Sequence, residues 1–285
     1  MQTHPLTLPK RILTIAGSEA GGTAGLQADL KTFQEIGVYG MTVITAMVGQ
    51  HPKTKQNVHP INLEAIEAQF SAAHQRTGVD AVKTGMLFSQ DVIVKVAQLL
   101  AKESYTNIVV DPVMVGKLGK LDAKLLKDEA IEALKEKLFP LASLIMPNML
   151  EASLLLDERP IKSIKDMKNA ALTLYRMGPK NVLIKGGRLD GHATDVLFDG
   201  QSFWLFETPR IPTLNTSGAG DTISAAATAF LAQGYAMVKS IEKAKQFVTQ
   251  AIAHSFSYQK KVGPVNQFAN RSGAELQLNV LQEKS

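Results

Sequence analysis

Cysteine is absent from all 285 residues, which excludes disulfide bridges, thiolate metal sites and a cysteine nucleophile. Long apolar runs are absent as well: none approaches the roughly 18 residues that span a bilayer. The opening Met1 to Arg11 is polar and holds prolines, unlike a signal peptide. A cytoplasmic protein with no membrane partner is expected. There is no basic block, because 31 basic residues are interleaved with 26 acidic ones; the formal charge of +5 is equally useful for attracting a nucleotide, and nucleic-acid binding is not expected. The six histidines (His4, His51, His59, His74, His192 and His254) never fall at the i, i+4 spacing of a metal-ligand pair. Also missing are the P-loop, the G-x-G-x-x-G fingerprint, the G-x-S-x-G elbow and H-E-x-x-H.

What is present is a regular alternation of short apolar runs and helical periods. Arg11 to Ala16 reads as a strand ending in Gly17-Ser18, and from Ala24 the spacing of Leu26, Leu30, Phe33 and Ile36 predicts a helix that stops at Gly37. Further strands are expected at Thr42–Val48, Asp80–Thr84, Ile108–Val110, Leu144–Met146 and Val182–Lys185. Helices are expected from Asn62 to Thr77, Ser89 to Lys102, Asp122 to Leu138, and from Ser163 to just before Gly178. This order implies an α/β fold with a mainly parallel sheet and helices on both faces. Thr194–Phe198 and Phe203–Phe206 flank Asp199-Gly200, the signature of an antiparallel hairpin at the sheet edge. Helices at Asp221–Gln233 and Ser240–Phe256 close the chain, with a mobile tail after about Asn270. No repeat or linker divides it, so one domain over 1–285, with a core at about 11–268, is expected.

In such folds ligands gather outside the carboxyl ends of the strands, where the loops carry the chemistry. Asn215 to Thr222 joins a small-residue turn, Gly218-Ala219-Gly220, directly to a helix. Close backbone N–H groups and the helix dipole there favour a phosphate. Asp221 beside that phosphate is placed to accept a proton from an attacking alcohol, although the same residues can simply cap a helix. Asn148 and Glu151 lie three apart at a strand-to-helix junction, as a hydrated Mg²⁺ site or equally as a capping box. Lys185 at a strand end offers a cation to a nucleotide phosphate. Asp111 follows an apolar strand and precedes Pro112, as an acid at the binding edge or an Asx-type turn. Val115 to Lys120 is Gly-rich and basic, as a lid over phosphates or a plain surface loop.

These segments also occur together in a recognisable order. Gly17-Ser18 with Ala24 to Phe33, Lys83-Thr84-Gly85-Met86, Asp111 to Met114, Asn148 to Glu151, Lys185-Gly186-Gly187, Asn215 to Thr222 and Val262-Gly263-Pro264 resemble the hydroxymethylpyrimidine and phosphomethylpyrimidine kinases and the closely similar pyridoxine/pyridoxal kinases. The resemblance spans about residues 11 to 268. It implies a ribokinase-like three-layer α/β/α sandwich and transfer of the ATP γ-phosphate to the hydroxymethyl group of a small heteroaromatic alcohol. Asp221 matches the base; Gly218, Ala219 and Gly220 match the anion hole; Asn148 and Glu151 match a metal-associated motif, with Asp111 beside the metal. Lys185 and Thr216 match the nucleotide site, while Ala24, Asp29, Gln50 and Met86 match positions around the acceptor ring. Mg²⁺ and a homodimer are further implications, and a monovalent cation is left open. Two departures stand out. Asp221 replaces the cysteine usual in these branches, and Glu19 replaces the usual aspartate after Gly-Ser. Gln50 and Pro209-Arg210-Ile211 resemble the pyrimidine branch, which is the leading expectation; Lys83 to Met86 and Pro52 to Pro60 resemble the pyridoxal branch.

Overall fold

The computed structural model describes every residue except 1–7, 50, 55–56, 119–120, 125, 259–261, 273–277 and 285. In chain order the strands are β1 (Arg11–Glu19), β2 (Tyr39–Val48), β3 (Val58–Pro60), β4 (Ala81–Thr84), β5 (Ile108–Val110) and β6 (Val115–Leu118). They continue as β7 (Leu121–Lys124), β8 (Leu144–Ile145), β9 (Val182–Ile184), β10 (Ala193–Phe198), β11 (Ser202–Thr208) and β12 (Asn279–Lys284). The α-helices are α1 (Gly25–Ile36), α2 (Leu63–Thr77), α3 (Gln90–Ala101), α4 (Asp128–Ala133), α5 (Met149–Leu155), α6 (Ile164–Tyr175), α7 (Ala219–Ala232) and α8 (Met237–Ala253).

One sheet of order β12-β11-β10-β9-β8-β5-β4-β1-β2-β3 carries ten of the strands. From β2 to β9 its pairings are parallel, and β3 and β10 to β12 add antiparallel margins. The direction of winding reverses between β1 and β4, so a crevice is expected where the loops after those two strands diverge.

Both faces of the central strands are buried, and the two-residue period of a strand decides which side chain meets which helix layer. Leu13, Ile15 and Val82 pack with α2, α3, α5 and α6 on one face. Ile12 and Ala81 meet Phe33 of α1 and Ala225 and Ala229 of α7 on the other. Helix starts expected from side-chain caps are realised: Asn62, Ser89 and Ser163 each accept a hydrogen bond from the backbone N–H three residues on.

Two expectations change. The helix expected from Asp122 begins instead at Asp128, because Leu121–Lys124 pairs with Val115–Leu118 in a separate two-stranded ribbon. Asp128 and Glu129 then occupy the first turn, where carboxylates suit the helix dipole. The Gly-rich segment that begins at Val115 is therefore largely β-ribbon, with 119–120 outside the described residues. The tail after Asn270, expected to be mobile, includes β12, which pairs antiparallel with β11 and displaces the β10–β11 hairpin from the sheet margin. An open strand edge offers unpaired N–H and C=O groups to any extended segment, a preference that Asn279–Lys284 does not advertise in its own composition.

The starts of β1 and β4 are pinned by charge. Asp80 accepts from the Arg11 backbone N–H at 2.8 Å and from its guanidinium at 2.9 and 3.0 Å. These bonds hold the Asp80 carboxyl down at about 2 from an ordinary 3.8. A depressed acid contributes stability above its unfolded pKa and loses it as pH falls through the folded one. Asp80→Asn is therefore expected to lower the Tm near pH 7 by roughly 1–3 °C, since the pair is partly exposed. Thermal melts should show that difference vanishing as pH falls from 3.8 to about 2.

Candidate active site

The crevice at the carboxyl ends of the strands holds a cavity of about 450 Å³. Ala24, Met86, Asp111, Asn148, Glu151, Lys185, Thr216, Gly218, Ala219, Gly220 and Asp221 all line it, although they come from six separate stretches of chain. A second cavity of about 610 Å³ shares Asn148, Lys185, Thr216, Ala219 and Gly220 with the first. It continues between the segment Thr208 to Ile211 and the α8 residues Val248 and Ile252. The two chambers meet at the small-residue turn.

That turn opens α7 at Ala219, two residues earlier than the helix expected from Asp221. Gly218 is its N-cap, at φ +78°, a left-handed conformation that favours glycine. Ala219 N–H closes on Thr216 O at 3.2 Å, while the N–H groups of Gly218, Gly220 and Asp221 find no acceptor among the described residues. These are the orphan donors of a helix start, free for an anion. The turn is held from behind by Gly263, whose N–H donates to Asn215 Oδ1 at 2.8 Å and whose carbonyl accepts from Ser217 N–H at 3.2 Å. From the front it meets the β1–α1 loop, where Ser217 Oγ donates to Thr23 Oγ1 at 3.0 Å. Glu19 shapes that loop: its carboxylate accepts from the N–H groups of Gly21 at 2.6 Å and Thr23 at 2.8 Å.

Asn148 and Glu151 form the full capping box of α5, with Asn148 Oδ1 accepting from the N–H of Leu150 and of Glu151, and Glu151 Oε2 accepting from Asn148 N–H at 2.8 Å. The helix-start reading of this pair is thus realised while both residues also face the cavity. Burial pushes the Glu151 carboxyl up to about 7, with Lys185 opposing and Asp111 adding to the rise. Lys185 Nζ donates to Asp111 Oδ1 at 2.7 Å, and Ser224 Oγ of α7 donates to Asp111 Oδ2 at 2.8 Å. Burial alone would pull the Lys185 ammonium down, but Asp111 and Glu151 outweigh it and hold its pKa above the ordinary lysine value. Lys185 therefore stays a cation at the junction of the two chambers.

Among the described residues no three acidic or histidine side chains gather into a closed metal cage. Asp111 is nonetheless close enough to Glu151 to help raise its pKa, and both line the cavity wall. One or two carboxylates completed by water and phosphate oxygens is how Mg²⁺ is ordinarily held, so the donor set fits that ion.

Of the residues expected around the acceptor ring, Asp29 is placed differently. Gln50 lies outside the described residues. Asp29 has no solvent exposure and lines neither cavity; its Oδ1 accepts from Lys83 Nζ at 2.6 Å and its Oδ2 from Thr14 Oγ1 at 2.6 Å. Helical spacing turns Asp29 from the start of α1 toward the sheet, where Thr14 and Lys83 are cross-strand partners. Lys83 is the residue that motif reading underrated. It points to the α1/α7 face because Val82 takes the other, and its Nζ also lies 3.4 Å from Asp221 Oδ1. A lysine inside the buried run Ala81 to Thr84 was the available signal. Burial works against its charge, but Asp29, Asp221 and Asp111 together raise its pKa above the ordinary value.

The family model described as phosphomethylpyrimidine kinase matches residues 19–266. The chain belongs to the phosphomethylpyrimidine kinase family. It is 43% identical over 261 residues to a hydroxymethylpyrimidine/phosphomethylpyrimidine kinase of Bacillus subtilis, covering 91% of this chain and 95% of that one. It is 44% identical over 265 residues to a pyridoxine kinase of the same organism, covering 92% and 97%. The structure of the Staphylococcus aureus pyridoxal kinase in complex with AMP-PCP and pyridoxal superposes with a TM-score of 0.89 at 36% identity, over 97% of this chain and all of that one. The ribokinase-like three-layer fold and membership of a phosphotransferase family are thereby established. No helix among the described residues is long and apolar enough to cross a membrane.

Proposed function

We propose that the protein, as one kinase unit, transfers the γ-phosphate of ATP to the hydroxymethyl group of hydroxymethylpyrimidine, to the phosphate of its monophosphate, or to both. The observation that carries this reading is the position of Asp221. It stands in the first turn of α7, beside donor N–H groups with no acceptor among the described residues, and lines the same cavity as Ala24 and Met86. The acceptor ring lies in the first chamber and the nucleoside in the second, so the transferring phosphoryl group crosses their junction at Gly218, Ala219 and Gly220. There the N–H groups stabilise its charge. Lys185 and Thr216 hold the nucleotide phosphates, and Asp221 takes the hydroxyl proton as the new O–P bond forms and the bond from the γ-phosphorus to the β–γ bridging oxygen breaks, releasing ADP. Asp111 and Glu151, with Asn148 behind them, are the residues that would hold Mg²⁺, which when bound offsets phosphate charge. Mixed-sign charge over the chain and a cleft of only about 450 Å³ support a small-molecule acceptor rather than nucleic acid. A homodimer is part of this reading and follows from the family resemblance.

The second reading is phosphorylation of pyridoxine or pyridoxal. It is supported by the likeness to the Staphylococcus aureus pyridoxal kinase over nearly the whole chain. ATP consumption by the purified protein with Mg²⁺ distinguishes the two, using hydroxymethylpyrimidine, its monophosphate, pyridoxine and pyridoxal at matched concentrations. Higher kcat/KM for the pyrimidines supports the first reading, and higher kcat/KM for the pyridines overturns it.

A further inference from the structure

Beneath Asp221 a line of buried polar groups runs inward and is not used by the proposed phosphoryl transfer. Lys83 Nζ stands between two carboxylates, 3.4 Å from Asp221 Oδ1 and 2.6 Å from Asp29 Oδ1, and Thr14 Oγ1 ends the line on Asp29 Oδ2. Side-chain exposure falls from 17% at Asp221 to 0% at Lys83 and Asp29. A buried ammonium is costly unless paired, so a lysine here is held in place by its partners and cannot swing out to the cavity. α7 can approach β4 closely because its buried face is mostly small: Ala225 and Ala229 have no exposure.

We infer that Lys83 is a positioning residue for the proposed base: it fixes one oxygen of Asp221, leaving the other to take the acceptor's proton, and Asp29 holds Lys83 rather than the acceptor ring. This rests on the reading of Asp221 as the base. Asp29 is unavailable to a ligand, since both its oxygens are engaged below the cavity floor. The ionisable groups facing Asp221 are Lys83 from β4, Asp29 from α1, Asp111 after β5 and Lys185 after β9, with Glu151 beyond Lys185. Of the two cations, Lys83 makes the direct contact with Asp221.

The test is the pH dependence of kcat in Lys83→Met and Asp29→Asn. A cation beside a carboxylate favours its charged form, so Lys83→Met should move the acid limb of kcat to higher pH by about one unit or more, with KM for ATP unchanged. Asp29→Asn removes a competing negative charge and should move the limb to lower pH, with the acceptor KM unchanged. A purely structural role does not produce opposite shifts. Since Lys83→Met leaves Asp29 buried without its cation, Lys83→Met/Asp29→Asn repeats the first arm without that unpaired charge and should also move the limb upward. An unmoved limb in both Lys83 variants overturns the inference. So does an Asp29→Asn enzyme whose acceptor KM rises while its limb stays in place, because Asp29 would then be contacting the acceptor. Asp221→Asn separates this from the underlying reading: full turnover there removes the base itself, whereas an inactive Asp221→Asn with unmoved limbs removes only the role of Lys83.

Discussion

Asp221→Asn is expected to lower kcat by about 10²–10⁴-fold while leaving ATP affinity unchanged. The amide keeps the size and hydrogen-bonding reach of the carboxylate but cannot accept the hydroxyl proton. The fold should tolerate it, because Lys83 keeps its shorter contact with Asp29 at 2.6 Å and loses only the negative charge of its 3.4 Å partner. The donor turn is made of backbone N–H groups and is untouched. Single-turnover kinetics together with calorimetric titration of ATP would check both halves, and unchanged turnover would sink Asp221 as base. The result would also bear on what a carboxylate at this position can do. A carboxylate can take a proton but cannot add reversibly to an aldehyde as a thiol can, and no cysteine exists elsewhere to do so.

Gly218→Ala is the second large effect, and Gly220→Ala is its control. A Cβ on Gly218 would lie 2.0 Å from the Thr23 carbonyl oxygen, at a φ of +78° that alanine disfavours. Backbone must move, and what moves is the donor turn itself. Losing one well-aimed donor costs about 10²–10³-fold in rate in comparable anion holes, so a kcat loss of that order is expected. A Cβ on Gly220 meets nothing nearer than Lys185 Nζ at 3.5 Å, an ordinary contact inside a helical turn. Gly220→Ala should fold normally and lose much less activity. Equal losses in the two variants would show that the small size of the turn matters and its left-handed start does not.

Legibility along the chain followed the range of the interactions involved. Ser89, Ser163 and Asn62 announced their helices because a cap acts within three residues. The parallel sheet was legible from apolar runs separated by helical periods, and the Asp199-Gly200 hairpin from its turn, which Asp199 closes by accepting from the N–H groups of Gln201 and Ser202. Asp122 misled because a cap residue and a ribbon residue look alike until the partner strand is known. The end of the chain misled similarly, since β12 owes its order to the open edge of β11.

By itself the sequence determined the chemistry available to this protein. It excluded thiols and metal-binding histidine pairs, placed a small-residue turn at a helix start beside a carboxylate, and ordered these motifs so that the family could be recognised. Each of those properties is local, carried by neighbouring residues in one stretch. Only the tertiary structure decided what those residues do to one another. It brought Lys185 onto Asp111 across 74 positions and Lys83 toward Asp221 across 138. It also turned Asp29 away from the cavity and into a buried ion pair. The physical reason is that charge and burial act through space: a carboxylate's partners are set by which strand and which face lie opposite it, and the pleat, the crossover and the packing of α1 and α7 settle that together.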